Sequence, residues 1–236
     1  MTTKTIERPC PVQRKDIRDM GIISYGAAYV LLILLFSKLY HLTPVYNAAV
    51  SLWLKLIFYC MLGAGGIFLF RDMLKDGLTR WREHPVKNIL WIVGALICEI
   101  LLDNLASIPP ALLYPDYTGM NDSNLSELSK YVPAAFIVIS LGILGPVTEE
   151  CVFRFILVDK AKRRMPAAVC AIVSSLLFMA IHMHAFTLPE LMYCLPHFMT
   201  GLLFAVCLLK TKDPTIPLIL HILNNSSAFL LTGAAK

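Results

Sequence analysis

Two adjacent glutamates stand inside an apolar run of the chain that extends from Val132 to Val158. Arg154 follows them in the same run. Ionisable side chains are expensive to place in a membrane, and those found there are usually functional. On a helix, Glu150 and Arg154 share a face and can pair, whereas Glu149 is turned by about 100° from Glu150. The spacing predicts a charge-paired Glu150, in either a structural or a supporting role, and a free Glu149 suited to general acid–base chemistry.

Two later apolar runs carry histidine. The midpoint between Glu149 and His182 falls on the basic turn that ends at Pro166. Two antiparallel helices joined at that turn would place the two side chains at the same depth, which predicts that they work together. His221 and Asn225 are four residues apart in the last apolar run, so they share a helix face, and both can donate hydrogen bonds.

Other polar residues within the runs have simpler explanations. Glu99 and Asp103 are like charges at i, i+4, which we interpret as polarity inside a bundle with a role in a substrate groove. Lys55 either faces the bundle or extends to the membrane surface. His184 and His197 are interpreted as histidines whose hydrogen bonds are satisfied within the bundle.

Long apolar helices must position these residues. Hydrophobic residues make up 57% of the 236 residues and charged residues 16%, against about 25% charged residues in soluble domains. With the N-terminus inside, 16 of the 21 Lys and Arg lie on the inner side of the membrane, as the positive-inside rule requires. We predict an all-α, polytopic transmembrane helix bundle of about seven spans with its N-terminus inside.

The predicted organisation follows from the position of the apolar runs. Residues 1–20 form a cytoplasmic leader, residues 21–131 form accessory transmembrane helices, and residues 132–232 form a core that carries the two glutamates, His182, His221 and Asn225. The predicted spans are residues 21–42, 46–70, 89–113, 133–158, 167–186, 188–209 and 215–232.

Several kinds of site are disfavoured by the sequence. The basic residues lie in short loops, which indicates membrane orientation rather than a nucleic-acid partner. The seven cysteines are scattered without a CxxC motif, so we expect neither a disulfide framework nor a sulfur metal site. There is also no GxSxG motif of a serine hydrolase.

Three interpretations of the polar residues remain. A Glu/His pair could activate water while the second donor pair stabilises an oxyanion. The same residues could instead hold zinc, but no HExxH motif is present and Asn is a poor zinc ligand. We therefore expect no metal cofactor, with zinc as the alternative. The third interpretation is a non-catalytic proton path or scaffold.

Three motifs occur in order on three predicted helices: Glu149-Glu150-x-x-x-Arg154, Phe178-x-x-x-His182 and His221-x-x-x-Asn225. Over about residues 132–232 this pattern resembles the CAAX amino-terminal protease family, also called CPBP or Abi, of intramembrane glutamate endopeptidases. The resemblance implies that Glu149 and His182 activate the water and that His221 and Asn225 form the oxyanion hole. It also implies supporting roles for Glu150 and Arg154 and a packing role for Phe178.

The resemblance implies an intramembrane endopeptidase of the bacterial plasma membrane. Its expected partners are a peptide or membrane-protein substrate and the surrounding lipid, with no nucleic acid, and the sequence does not set an oligomeric state. The alternatives are a zinc-dependent membrane protease that uses the same residues and a non-catalytic bacteriocin-immunity or membrane scaffold protein.

Overall fold

The computed structural model describes residues 20–33, 48–121 and 131–231. The described residues are helical apart from short connections, which confirms the all-α prediction, and the leader predicted at residues 1–20 lies almost wholly outside them. We number the helices in chain order: α1 Met20–Ile33, α2 Ala48–Leu69, α3 Arg71–Glu83, α4 Pro85–Leu113, α5 Ala134–Arg163, α6 Ala167–Ala180, α7 Leu188–Tyr193, α8 Leu195–Thr211 and α9 Thr215–Leu231.

The described helices include several that could cross a membrane. By length and composition these are α4, α5 and the continuous stretch of α7 and α8, while the bent pair of α2 and α3 would make a fourth. The count of about seven spans and the inward N-terminus remain predictions. On α4, Leu90, Ile97, Leu101 and Leu105 are each more than half exposed, so this helix presents an apolar face suited to lipid.

The chain bends by 70° between α2 and α3, and α3 then packs on the start of α9. Trp81 Nε1 donates a hydrogen bond to Thr215 Oγ1 at 2.9 Å. Arg80 Nε lies 3.2 Å from Asp213 Oδ2. At Gly77 a Cβ atom would overlap the Thr215 methyl group. The start of α9 is therefore buried beneath α3.

Helix α5 is the most buried of the three long helices and it is not a regular α-helix. Residues 138–144 and 150–160 are π-helical, with a short α-helical segment between them. The Gly145 N–H donates to the Ser140 carbonyl five residues earlier. The same five-residue spacing would pair the Leu141 carbonyl with residue 146, but Pro146 has no N–H. The Leu141 carbonyl is thus left to accept a side chain, and Asn225 Nδ2 donates to it at 3.1 Å.

Close packing surrounds α5 on several sides. At Gly63 of α2 a Cβ atom would lie 2.7 Å from the Leu144 Cβ, so glycine is what allows the two helices to approach. The rings of Tyr29 in α1 and Phe153 in α5 meet edge to face at 5.9 Å. Ser174 Oγ of α6 donates to the Phe153 carbonyl at 2.6 Å. Helix α5 therefore has its orientation fixed by α1, α2 and α6.

One predicted span boundary is wrong. The predicted fifth span reached residue 186, but α6 ends at Ala180, and the His182 ring bonds to the Phe178 carbonyl near that end. His182 therefore lies in a turn just beyond the end of α6. The predicted sixth span, residues 188–209, agrees with the apolar stretch Leu188–Thr211, in which a new helix starts after Cys194 with Pro196 in its first turn.

Candidate active site

The four residues predicted to do chemistry line one cavity of about 310 Å³. Glu149 comes from α5, His182 from the turn after α6, and His221 and Asn225 from one face of α9. The cavity lies inside the helix bundle, between elements far apart in sequence. The local motifs therefore converge on one space, while the roles assigned to them remain predictions.

Behind the cavity wall lies the ion pair of Glu150 and Arg154, whose side chains are 7% and 1% exposed. Arg154 Nη1 lies 3.3 Å from Glu150 Oε1, so the predicted contact is confirmed. The guanidinium also lies over the ring of Phe178 at 4.4 Å and near that of Phe204 at 5.3 Å. A buried charge is tolerated when it is paired in this way. The supporting role of both residues stays a prediction.

His221 is held between the two glutamates. Its Nδ1 lies 2.9 Å from Glu150 Oε1, and its Nε2 lies 3.4 Å from Glu149 Oε2. A doubly protonated imidazole would donate to both carboxylates, since it carries a hydrogen on each nitrogen. Glu150 thereby connects His221 to Arg154, a link that the helix spacing alone did not reveal.

His182 has a defined ring orientation. Its Nδ1 lies 2.8 Å from the Phe178 carbonyl oxygen, which can only accept, so Nδ1 carries the hydrogen and the neutral ring has its lone pair on Nε2. The His197 ring packs on it with a centroid separation of 4.1 Å. The sequence predicted that His182 would work directly with Glu149. Both line the cavity, but this ring contact goes to Phe178.

Asn225 is oriented by the irregular part of α5. Its Nδ2 donates one hydrogen to the Leu141 carbonyl, which Pro146 leaves without a backbone donor. The amide nitrogen has a second hydrogen, and the side chain lines the cavity. Next to it, Ser226 Oγ donates to the Gly142 carbonyl at 3.3 Å. The first π-helical segment thus fixes the face of α9 that meets the cavity.

The cavity wall contains further polar residues beside the four predicted to do chemistry. Lys55 and Tyr59 of α2 line it, as do Asp103 of α4 and Thr200 of α8. Thr200 Oγ1 donates to Asp103 Oδ1 at 3.1 Å. The available sequence signal was an ionisable residue inside an apolar run, which applies to Lys55 and to Asp103.

Two histidines also line the cavity although the sequence favoured satisfied bundle histidines at their positions. They are His184, in the turn after α6, and His197, in the first turn of α8. Asn224 lines it as well, beside Asn225. No helix-spacing argument relates these positions to Glu149, because the packing of one helix on another decides which faces meet.

A zinc site would need three or more protein ligands that converge on one point. Within residues 20–33, 48–121 and 131–231, no group of three His, Cys, Asp or Glu side chains is arranged to hold a metal ion. His221 uses both ring nitrogens towards carboxylates and His182 uses Nδ1 towards a carbonyl. These residues do not fit a zinc ligand set.

Comparison with known proteins identifies one matching family model. Residues 131–227 match the model described as "Type II CAAX prenyl endopeptidase Rce1-like". A Bacillus subtilis (strain 168) protein named as a membrane peptidase, YdiL, is 23% identical over 167 residues, which cover 70% of this chain and 65% of that protein. The "Membrane-embedded CAAX protease MroQ" of Staphylococcus aureus (strain USA300) is 25% identical over 151 residues, or 61% of this chain and 58% of that protein.

The matched region spans less than two thirds of each of these relatives. No solved structure matches the chain. The bacterial relatives, both named as membrane peptidases, agree with the long apolar helices of the fold. The protein is accordingly a multi-pass membrane protein of the bacterial type.

Proposed function

We propose that the protein is an intramembrane endopeptidase of the glutamate type, because residues 131–227 match the Rce1-like CAAX endopeptidase model. Its substrate is a peptide or a segment of a membrane protein that reaches the cavity inside the bundle. The observation that carries the proposal is the meeting of Glu149, His182, His221 and Asn225 in one cavity, with Glu150 and Arg154 behind its wall.

Glu149 is the general base for the attacking water. Its carboxylate takes one proton as the water oxygen bonds to the carbonyl carbon of the scissile peptide. The lone pair on His182 Nε2 accepts the other water hydrogen in a hydrogen bond and so orients the attack. Glu149 then gives its proton to the leaving nitrogen as the C–N bond breaks. A positioned acid–base group of this kind contributes about 10²–10⁴-fold to a rate.

His221 and Asn225 stabilise the oxyanion that forms during this attack. The second hydrogen of Asn225 Nδ2 is available because the first is held by Leu141. Protonated His221 is held by Glu150 at Nδ1, and its Nε2–H lies 3.4 Å from Glu149 Oε2. When Glu149 has taken the proton from water its charge is lost, so Nε2–H becomes available to the oxyanion. Two preorganised donors at a site away from water are the arrangement that lowers the energy of a tetrahedral intermediate.

The test is cleavage of a peptide mixture by the purified protein in lipid vesicles, with products identified by mass spectrometry. Glu149→Gln and His182→Ala should each lower the rate by about 100-fold or more. Glu83→Gln is the control, since Glu83 is an exposed glutamate of α3 outside the cavity lining. Undiminished cleavage by both active-site variants would refute the mechanism. Equal losses in Glu83→Gln would mean that the effect is not specific to the cavity.

A further inference from the structure

We propose that peptide substrates enter the catalytic cavity from the extracytoplasmic side, through a second chamber that holds an extended, apolar segment of the peptide. That peptides are substrates rests on the proposed proteolytic function, whereas the side of the membrane on which the chamber lies does not depend on it.

The second chamber adjoins the catalytic cavity. It has a volume of about 330 Å³ and shares Asn121, Pro196 and His197 with the cavity lining. Its remaining walls come from the end of α4, the residues that follow it, and α7. A volume near 300 Å³ is the lower size of pockets that hold small ligands. The two spaces together suit a peptide that passes from one into the other.

The basic segments of the chain gather at one end of the bundle. Arg80 of α3 contacts Asp213, in the turn before α9, at 3.2 Å. Phe70, at the bend before α3, packs edge to face on Phe155 near the end of α5 at 4.6 Å, and Lys160 lies over that same Phe155 ring at 5.8 Å. Residues 71–88, 160–164 and 210–212 therefore lie on the same side.

The catalytic cavity extends away from this basic end towards Asp103 and His197. At 1.5 Å per residue, Asp103 is about 27 Å along α4 from Pro85, and His197 is about 21 Å along α8 from Thr211. The hydrocarbon core of a bilayer is about 30 Å thick. Ser107 in the second chamber is a further turn of α4 beyond Asp103. The second chamber thus lies at the end opposite the basic segments.

Charge distribution assigns the two ends to the two sides of the membrane. Of the 13 Lys and Arg in the described ranges, 11 lie in the three basic segments and the others, Lys55 and Arg154, lie within helices. Such segments stay on the cytoplasmic side. The opposite rim carries Tyr114, Tyr117 and Tyr193, and tyrosine is enriched where a helix bundle meets the membrane surface. The second chamber is therefore extracytoplasmic.

The walls of the second chamber are held in place by a fully buried carboxylate. Glu190 accepts hydrogen bonds from the Tyr117 hydroxyl at 2.8 Å and from the backbone N–H groups of Met120 and His184 at 3.1 Å. The hydrogen bond to Glu190 raises the pKa of Tyr117, so the phenol remains a donor at neutral pH. One carboxylate thereby ties the residues after α4 to the turn after α6.

The lining of the second chamber indicates what it accepts. Pro110, Gly119, Tyr193, Cys194 and Pro196 give it mainly apolar walls. In its charged lining residue, Glu190, both carboxylate oxygens accept hydrogen bonds from other residues of the protein. Apolar walls with few free polar groups favour apolar side chains of an extended peptide.

The first experiment measures sidedness without reference to proteolysis. All seven native cysteines are replaced, and Thr118→Cys and Arg164→Cys are made singly at exposed positions on the two opposite ends. A membrane-impermeant maleimide should label Thr118→Cys in intact cells and Arg164→Cys only after permeabilisation. The reverse pattern, or equal labelling of both in intact cells, would overturn the proposal.

The second experiment tests the chamber itself with Ser107→Cys in the same background. A bulky maleimide on this cysteine should lower peptide cleavage severalfold relative to the same unlabelled variant. Labelled Arg164→Cys is the control and should cleave as before. Unchanged cleavage after complete labelling at position 107 would overturn the chamber as an entry route. Failure of the proteolytic function would be seen separately, because the unlabelled variants and the wild-type protein would then all be inactive.

Discussion

Glutamine at position 150 keeps the shape of the side chain and removes its charge, and this change should destabilise the protein. Glu150 faces Arg154 at 3.3 Å and His221 at 2.9 Å. The variant leaves the guanidinium, 1% exposed, without its anion. Removing one partner of a buried ion pair costs about 3–5 kcal/mol. At about 2–4 °C per kcal/mol for a chain of this length, the melting temperature should fall by roughly 6–20 °C.

Glu149→Gln is the matched comparison, since it makes the same chemical change one residue earlier. Glu149 lines the cavity, and its contact with His221 Nε2 is the longer one, at 3.4 Å. We expect a change in melting temperature below about 4 °C, together with loss of cleavage. Glu150→Gln should therefore mainly lower the stability of the protein, whereas Glu149→Gln should mainly lower its activity.

The assay can use the protein's own thiols. Cys151, Cys170, Cys194 and Cys207 are buried, so a thiol-reactive fluorophore reports their exposure during heating. The double variant Glu150→Gln/Arg154→Met should recover part of the lost stability, because it no longer buries an unpaired charge. Equal melting temperatures for Glu149→Gln and Glu150→Gln would refute the reasoning, as would a double variant less stable than Glu150→Gln alone.

Four further variants or treatments test other contacts. Asn225→Ala should lower kcat by about 10²–10³-fold in steady-state kinetics if the amide stabilises the oxyanion. Pro146→Ala restores an N–H that competes for the Leu141 carbonyl, so cleavage should fall by about 2–10-fold, the equivalent of a hydrogen bond of about 0.5–1.5 kcal/mol, without a lower melting temperature. Gly77→Ala forces α3 away from Thr215 and should destabilise by about 1–3 kcal/mol, measured by the same thiol assay. Dialysis against a chelator, with metal analysis of the protein, should leave cleavage unchanged.

Each of these expectations has a clear contrary result. Unreduced kcat for Asn225→Ala would remove the amide from the oxyanion hole. Full cleavage by Pro146→Ala would mean that Asn225 does not need a carbonyl without a backbone donor. A melting temperature of Gly77→Ala equal to that of the wild-type protein would contradict the tight packing of α3 on α9. The zinc alternative would be supported if the active protein contained one equivalent of metal and lost its activity when the chelator removed that metal.

Local spacing predicted the part of the site that lies on single helices. The helical period places Glu150 next to Arg154 and separates it from Glu149, and it places His221 and Asn225 on one face, as the structure has them. Apolar runs likewise predicted the all-helical fold, because helices that are buried or face lipid require apolar residues over long, characteristically spaced stretches of sequence.

Tertiary packing decided what the sequence could not. The position of His221 between two glutamates depends on how α9 lies against α5, and no spacing within either helix encodes it. The membership of Lys55 and Asp103 in the cavity wall has the same cause. The wide turns of α5 leave no apolar signature, although Gly145-Pro146 marks the place where the backbone pairing changes.

A π-helical turn holds one residue more than an α-helical turn would, and in α5 that surplus comes just before the two acids. If residues 138–144 formed an ordinary α-helix without losing a residue, everything after them would be rotated by about 100°. Thr148 would then occupy the angular position that Glu149 has now, and Glu149 that of Glu150. Deletion of one residue in this segment should instead remove the surplus and keep both acids in place. The extra residue in the π-helical turn therefore sets which side chain meets the cavity.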